Sequence, residues 1–153
     1  MTTIEPPRPA DRRKSDTLAQ LTAPAADVWV ATAAGDRPHL VPLSLAWVGE
    51  RVVLAVADDS PPARNLAATG RARLGVGPTR DVVMLDVELE ASHPVPAAPE
   101  ELAAAYAAQS DWDPREDGEG YLYLVLRPTR IQAWREANEL RDRTLMRRGV
   151  WLV

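Results

Sequence analysis

Residues 51–91 read RVVLAVADDSPPARNLAATGRARLGVGPTRDVVMLDVELEA, and this stretch decides the fold. It holds three apolar runs of strand length with one short helix among them. Arg51 to Ala57 is rich in Val and Leu, the composition of a buried strand. Ser60 then stands where an N-cap belongs, Pro61 occupies the first helical position, and Gly70 follows the last helical turn. Arg71 to Gly77 is the second run, closed by the turn Pro78-Thr79-Arg80. The third, Val82 to Ala91, alternates: Val83, Leu85, Val87 and Leu89 share one face, and Asp86, Glu88 and Glu90 share the other. Such a strand buries one face only, which is the habit of antiparallel sheets.

The same grammar extends upstream. Asp27 to Thr32 is β-rich, Gly35-Asp36 marks a turn, and His39 to Trp47 is a further strand whose Pro42 predicts an edge or a bulge. Gly49-Glu50 turns the chain into the opening stretch. Residues 1–15 are rich in Pro and Arg without apolar period and read as a disordered arm. A short helix follows, with Ser15 or Asp16 as cap and Leu18 and Leu21 inward. Downstream, Pro99 to Gln109 is a helix with Glu100 and Glu101 favourably placed in its first turn. Asp111 to Gly120 is a polar loop. Tyr121 to Leu126 and Ile131 to Trp134 are strands separated at Pro128, and Val150 to Leu152 is a last short strand. The expected architecture is mainly β with α: a closed or partly closed barrel of six to seven strands with two to three short helices, one domain over residues 16–153.

A chain of 153 residues leaves no length for a second domain. Phe is absent, so Val, Leu, Ala and the five Trp must fill the core. The net charge of −4 argues against a general nucleic-acid binder. Charge is unevenly spread: between Arg127 and Arg148 seven arginines face Glu136, Glu139 and Asp142, a local +4 that leaves −8 elsewhere. That pattern suits a small anionic ligand. Without Cys there is no disulfide, thiolate metal site or Cys nucleophile. No apolar run has the length of a membrane span and the first residues lack the pattern of a signal peptide, so a cytoplasmic protein with no membrane partner is expected. The glycine-rich dinucleotide and Walker patterns, H-E-x-x-H and G-x-S-x-G are all missing. His39 and His93, the only histidines, are too thin a set for a metal site, so no metal is expected.

Two stretches carry a resemblance. One is WVATAAGDRPHLVPLS at residues 29–44, followed by SPPARNLAATGRARL at residues 60–74; the other is PTRIQAWREANELRDR at residues 128–143. In this order the chain resembles the pyridoxamine-phosphate-oxidase-like split β-barrel flavoproteins, including the branch that uses the deazaflavin coenzyme F-420. The resemblance implies a homodimer with FMN or F-420 at the subunit interface, acting as an oxidoreductase on a small organic substrate. It places Ser44, Ser60, Arg64 and Asn65 along the ribityl and phosphate. The last stretch is similar to the oxidases' C-terminal signature of Trp, a spacer and Arg-Leu-His-Asp-Arg, with one residue fewer in the spacer. That similarity implies that Trp134 and Arg143 touch the flavin from the neighbouring subunit, and that Glu139 and Arg141 take the substrate-contacting positions. Glu139 and Arg141 replace the signature's Arg and His, so the expected substrate is not pyridoxine phosphate. Pro61 and Pro62 stand where relatives carry a cation, which weakens the expected phosphate grip. No residue is assigned as a catalytic acid or base. The alternative reading is a non-catalytic module that holds a flavin or another small anion.

Overall fold

A computed structural model describes residues 3–153 of the chain. Helix α1 spans Ala10–Leu21, beginning five residues before the expected cap at Ser15. Pro9 precedes it without a side-chain cap, and Asp16, instead of capping, accepts from the guanidinium groups of Arg8 and Arg12. Residues 10–15, read from sequence as arm, are therefore helical. Buried Arg13 and the ion pairs of Arg8 tie them to the C-terminal segment, a tertiary anchor that propensity does not reveal. Met1 and Thr2, the start of the expected arm, lie outside the described residues.

The strands are β1 (Asp27–Ala34), β2 (Arg37–Ser44), β3 (Ala46–Val48), β4 (Arg51–Ala57), β5 (Arg71–Val76), β6 (Val82–Pro94), β7 (Tyr121–Trp134), β8 (Thr144–Arg147) and β9 (Val150–Trp151). They pair antiparallel in the order β2-β1-β5-β6-β7-β4-β3, with β8 on β7 and β9 on β8. The sheet is not closed: β2 and β3 end it, giving a split barrel. Nine strands stand in place of six to seven because the run from His39 to Trp47 divides at Leu45 and the C-terminal residues form their own hairpin. Pro42 lies in edge strand β2, which pairs with β1 alone, so its missing N–H leaves no ladder partner wanting.

Pro128 does not interrupt β7. The register moves from Asp86 opposite Arg130 to Val87 opposite Pro128, leaving Thr129 as the extra residue of a bulge. The bulge absorbs the proline and lets one strand of 14 residues serve both β4 and β6.

Helix α2 (Pro61–Thr69) follows the expected signals, with Ser60 as N-cap and Gly70 left-handed at φ 71°. Helix α3 (Glu100–Ser110) covers β3 and β4. The main core fills the barrel with Val30, Leu54, Leu74, Leu85, Leu126 and Ile131, all shut off from solvent. A second cluster lies under α3, where Tyr106 meets Tyr123 edge-on at 5.5 Å. Among the described residues no helix is long and apolar enough to cross a membrane.

Candidate functional site

Two places on the molecule collect the residues singled out from sequence. The first is a cleft of about 460 Å³ between β2, β4 and the start of α2. Leu43 and Ser44 come from β2, Ser60 to Pro62 from the α2 entry, and Trp112 and Tyr121 form an aromatic wall. The wall is ordered by an edge-on contact between the Trp112 and Tyr121 rings at 5.6 Å and by the Trp112 indole N–H, which donates to Asp117. Ser44 and Ser60 thus share one cavity. His39 also lines it, and its Nδ1 is buried with no hydrogen-bond partner.

The other two residues expected there are not among its lining. Asn65 is 8% exposed and donates from Nδ2 to the Thr32 hydroxyl at 3.0 Å, joining α2 to β1. Arg64 is exposed and its guanidinium donates to the Asp59 carbonyl. Both positions suit packing of the helix rather than contact with a ligand in this cleft.

The second place is the end of β7. The Arg143 guanidinium lies over the Trp134 ring, 5.1 Å from its centroid, a cation–π arrangement. Arg143 also lines a cavity of about 580 Å³ together with Gln132, Thr144 and Arg147. The geometry of Arg143 is set from outside. Asp142 before it holds a left-handed φ of 59°, and the buried Arg13 side chain donates to the Asp142 carbonyl at 3.0 Å. The Ala133 N–H donates to the carbonyl of Arg143 itself, also at 3.0 Å.

Glu139 and Arg141 separate here. Glu139 is 2% exposed, and its carboxylate accepts from the Arg8 backbone N–H, the Arg8 guanidinium and the Arg135 N–H. The Arg8 guanidinium, outweighing burial, holds its carboxyl down at about 2. With its oxygens committed to the chain, Glu139 serves as an internal anchor, in contrast to the expected substrate contact. Arg141 is almost fully exposed, and among the described residues it reaches only Asp142, at 3.9 Å.

Sequence reasoning missed Arg8 and Arg13, which hold the Arg143 segment, and His39, Trp112 and Tyr121 in the cleft. The roles of Arg8 and Arg13 here carry no local signal, since Glu139 and the Asp142 carbonyl lie more than 120 residues away. The inclusion of His39 was foreshadowed by its place in the β2 stretch that carries the resemblance. No cluster of three or more His, Cys, Asp or Glu fit for a metal occurs among the described residues.

No family model and no curated protein matches the chain. Solved structures do. An F420 reductase aligns with a TM-score of 0.61 at 19% identity, over 74% of this chain and 94% of its own. A pyridoxamine 5′-phosphate oxidase-type protein of Listeria innocua aligns with a TM-score of 0.62 at 15% identity, over 80% of this chain and 98% of its own. A heme-binding protein of Mycobacterium smegmatis aligns with a TM-score of 0.61 at 22% identity; it covers 95% of this chain, which spans only 60% of that longer protein. The likeness is one of fold, and the fold is the pyridoxamine-phosphate-oxidase-like split barrel.

Proposed function

We propose that the protein is a flavin- or deazaflavin-dependent oxidoreductase acting on a small organic substrate other than pyridoxine phosphate. The observation that carries this reading is the Trp134–Arg143 stack beside a polar cavity, held from behind by Arg13 and Ala133. A bound isoalloxazine or deazaflavin would supply the hydride chemistry, and the protein would supply binding and orientation. Trp134 offers an apolar wall for the ring. Arg143 offers N–H donors to the ring's carbonyl oxygens. FMN and F-420 are both candidate coenzymes, and the fold neighbour named for F420 supports that class. Absorbance after reconstitution with each coenzyme tests the reading: a bound chromophore that is lost in Trp134→Ala supports it, and no binding of either refutes it.

A second reading, a non-catalytic binding module, is favoured by His39. His39 lines the cleft with its Nδ1 free of any hydrogen bond, and its imidazole would hold the iron of a bound haem; the heme-binding neighbour points the same way. A Soret band on adding hemin, abolished in His39→Ala, would establish it.

A further inference from the structure

The start of α2 is the part of the cleft where the resemblance implies a phosphate, and its chemistry does not fit one. A helix N-terminus binds an anion through free backbone N–H groups. Pro61 and Pro62 have no N–H to give. The next two donors are spent inside the chain: Ala63 N–H donates to Ser60 Oγ at 3.4 Å, and Arg64 N–H donates to the Ser60 carbonyl at 3.0 Å. The Ser60 hydroxyl is spent as well, since it donates to the Ala57 carbonyl at 2.7 Å while accepting from Ala63.

Nor does the cleft wall carry a cation: none of the described residues lining it is Lys or Arg. Arg64, the nearest in sequence, is exposed and turned to the Asp59 carbonyl. Asp58 and Asp59, immediately before the cap, are both exposed and form no ion pair among the described residues. A dianion placed at the head of α2 would find no open backbone N–H among the first four helical residues and no Lys or Arg in the described cleft lining. What remains is a wall of Leu43, Pro61, Pro62, Trp112 and Tyr121, suited to a flat uncharged surface.

We propose that this cleft selects a ligand that is neutral where it meets α2: a planar aromatic ring system without a phosphate at that end. Pro61 and Pro62 are the specificity-determining residues. The identity of the ring system rests on the flavin reading; the exclusion of phosphate rests on the donors and charges alone.

Two measurements test it separately. In the first, tryptophan fluorescence is titrated with riboflavin and with FMN. Riboflavin is expected to bind at least as tightly as FMN, and added salt not to weaken FMN binding, since no Lys or Arg of the cleft lining pairs with the phosphate. FMN binding about tenfold tighter than riboflavin, weakened by salt, would overturn the proposal. In the second, backbone amide resonances of Ala63, Arg64 and Asn65 are followed as inorganic phosphate is added. No saturable shift is expected in the native chain, and one should appear in the double variant P61G/P62K. A saturable shift in the native chain overturns the proposal whatever the flavins do. If neither flavin binds while the native amides stay silent, the flavin reading fails and the exclusion of phosphate stands.

Discussion

Glu139 shows how a residue can occupy a signature position and do different work there. Its carboxylate gathers the Arg8 guanidinium at 2.8 Å and two backbone N–H groups, and Arg8 in turn reaches Asp16 at 3.0 Å. Because the folded carboxyl sits at about 2, below the ordinary glutamate value of 4.5, the charged form stabilises the fold at neutral pH. That contribution is whole above about pH 4.5 and is lost as the pH falls toward 2, with a size on the order of 3 kcal/mol. Urea unfolding at a series of pH values should show this acid limb in the native chain and a shallower one in Glu139→Gln. At neutral pH the variant should lose about 3 kcal/mol, because it leaves the Arg8 cation without its main partner. Arg13 allows a second test at this scale. Its bond to the Asp142 carbonyl supports a non-glycine residue at positive φ, where conformational strain would otherwise loosen the turn. In Arg13→Met, amides of residues 140–144 should exchange with deuterium faster while those of α2 keep their native rates.

At the scale of the element, the turn between β5 and β6 has the least tolerance. Gly77 has a φ of +83°, and a Cβ there would collide with the Gln20 side chain and the Asp81 carbonyl. The Asp81 carbonyl also accepts from Gln20 Nε2 at 3.1 Å, so the helix and the turn are locked together at that point. Gly77→Ala should therefore cost about 2–3 kcal/mol in denaturant unfolding, combining left-handed strain with the clash. Gly70→Ala, equally left-handed but open around its Cα, should cost only about 1 kcal/mol. The contrast also shows what was legible in the sequence. Ser60, Pro61 and Gly70 act within their own helix, and α2 was readable from them to the residue. The alternation of Val83, Leu85 and Val87 likewise announced their burial in β6. The start of α1 was hidden because Arg8 and Arg13 find their partners at the far end of the chain, and Pro128 misled because its bulge is formed with β6. At the site, the structure brings Trp134 to Arg143 and Ser44 to Ser60, whereas Asn65 and Glu139 are engaged by partners distant in sequence and Arg64 by the Asp59 carbonyl, none of which a motif displays.

At the scale of the whole molecule, the two candidate places are set apart by the strand that connects them. Tyr121 lines the cleft at the start of β7, and Trp134 carries Arg143 at its end. Thirteen steps along the strand separate them, up to about 40 Å of extended chain. The flavin reading predicts a homodimer in which the Trp134–Arg143 pair of one protomer faces the cleft of the other. The outer face of β1 and β2 offers apolar surface for such an assembly: Trp29 is 51% exposed and Leu40 62%, and Trp29 lies opposite Pro42 across the two strands. Sedimentation should give twice the 16.7 kDa chain mass, and Trp29→Glu should shift the protein toward monomer. Sharing is tested by subunit mixing. Ser60→Trp fills the cleft, and a Trp134→Ala/Arg143→Ala double variant removes the stack, so each homodimer should fail to bind coenzyme. In a mixed dimer, one cleft is intact and faces an intact stack from the other protomer. After unfolding and refolding an equal mixture, about a quarter of all sites should bind, as random pairing in a two-fold assembly requires. Recovery of no binding, with mixed dimers demonstrated by mass, would place both half-sites in separate roles and end the case for a shared flavin.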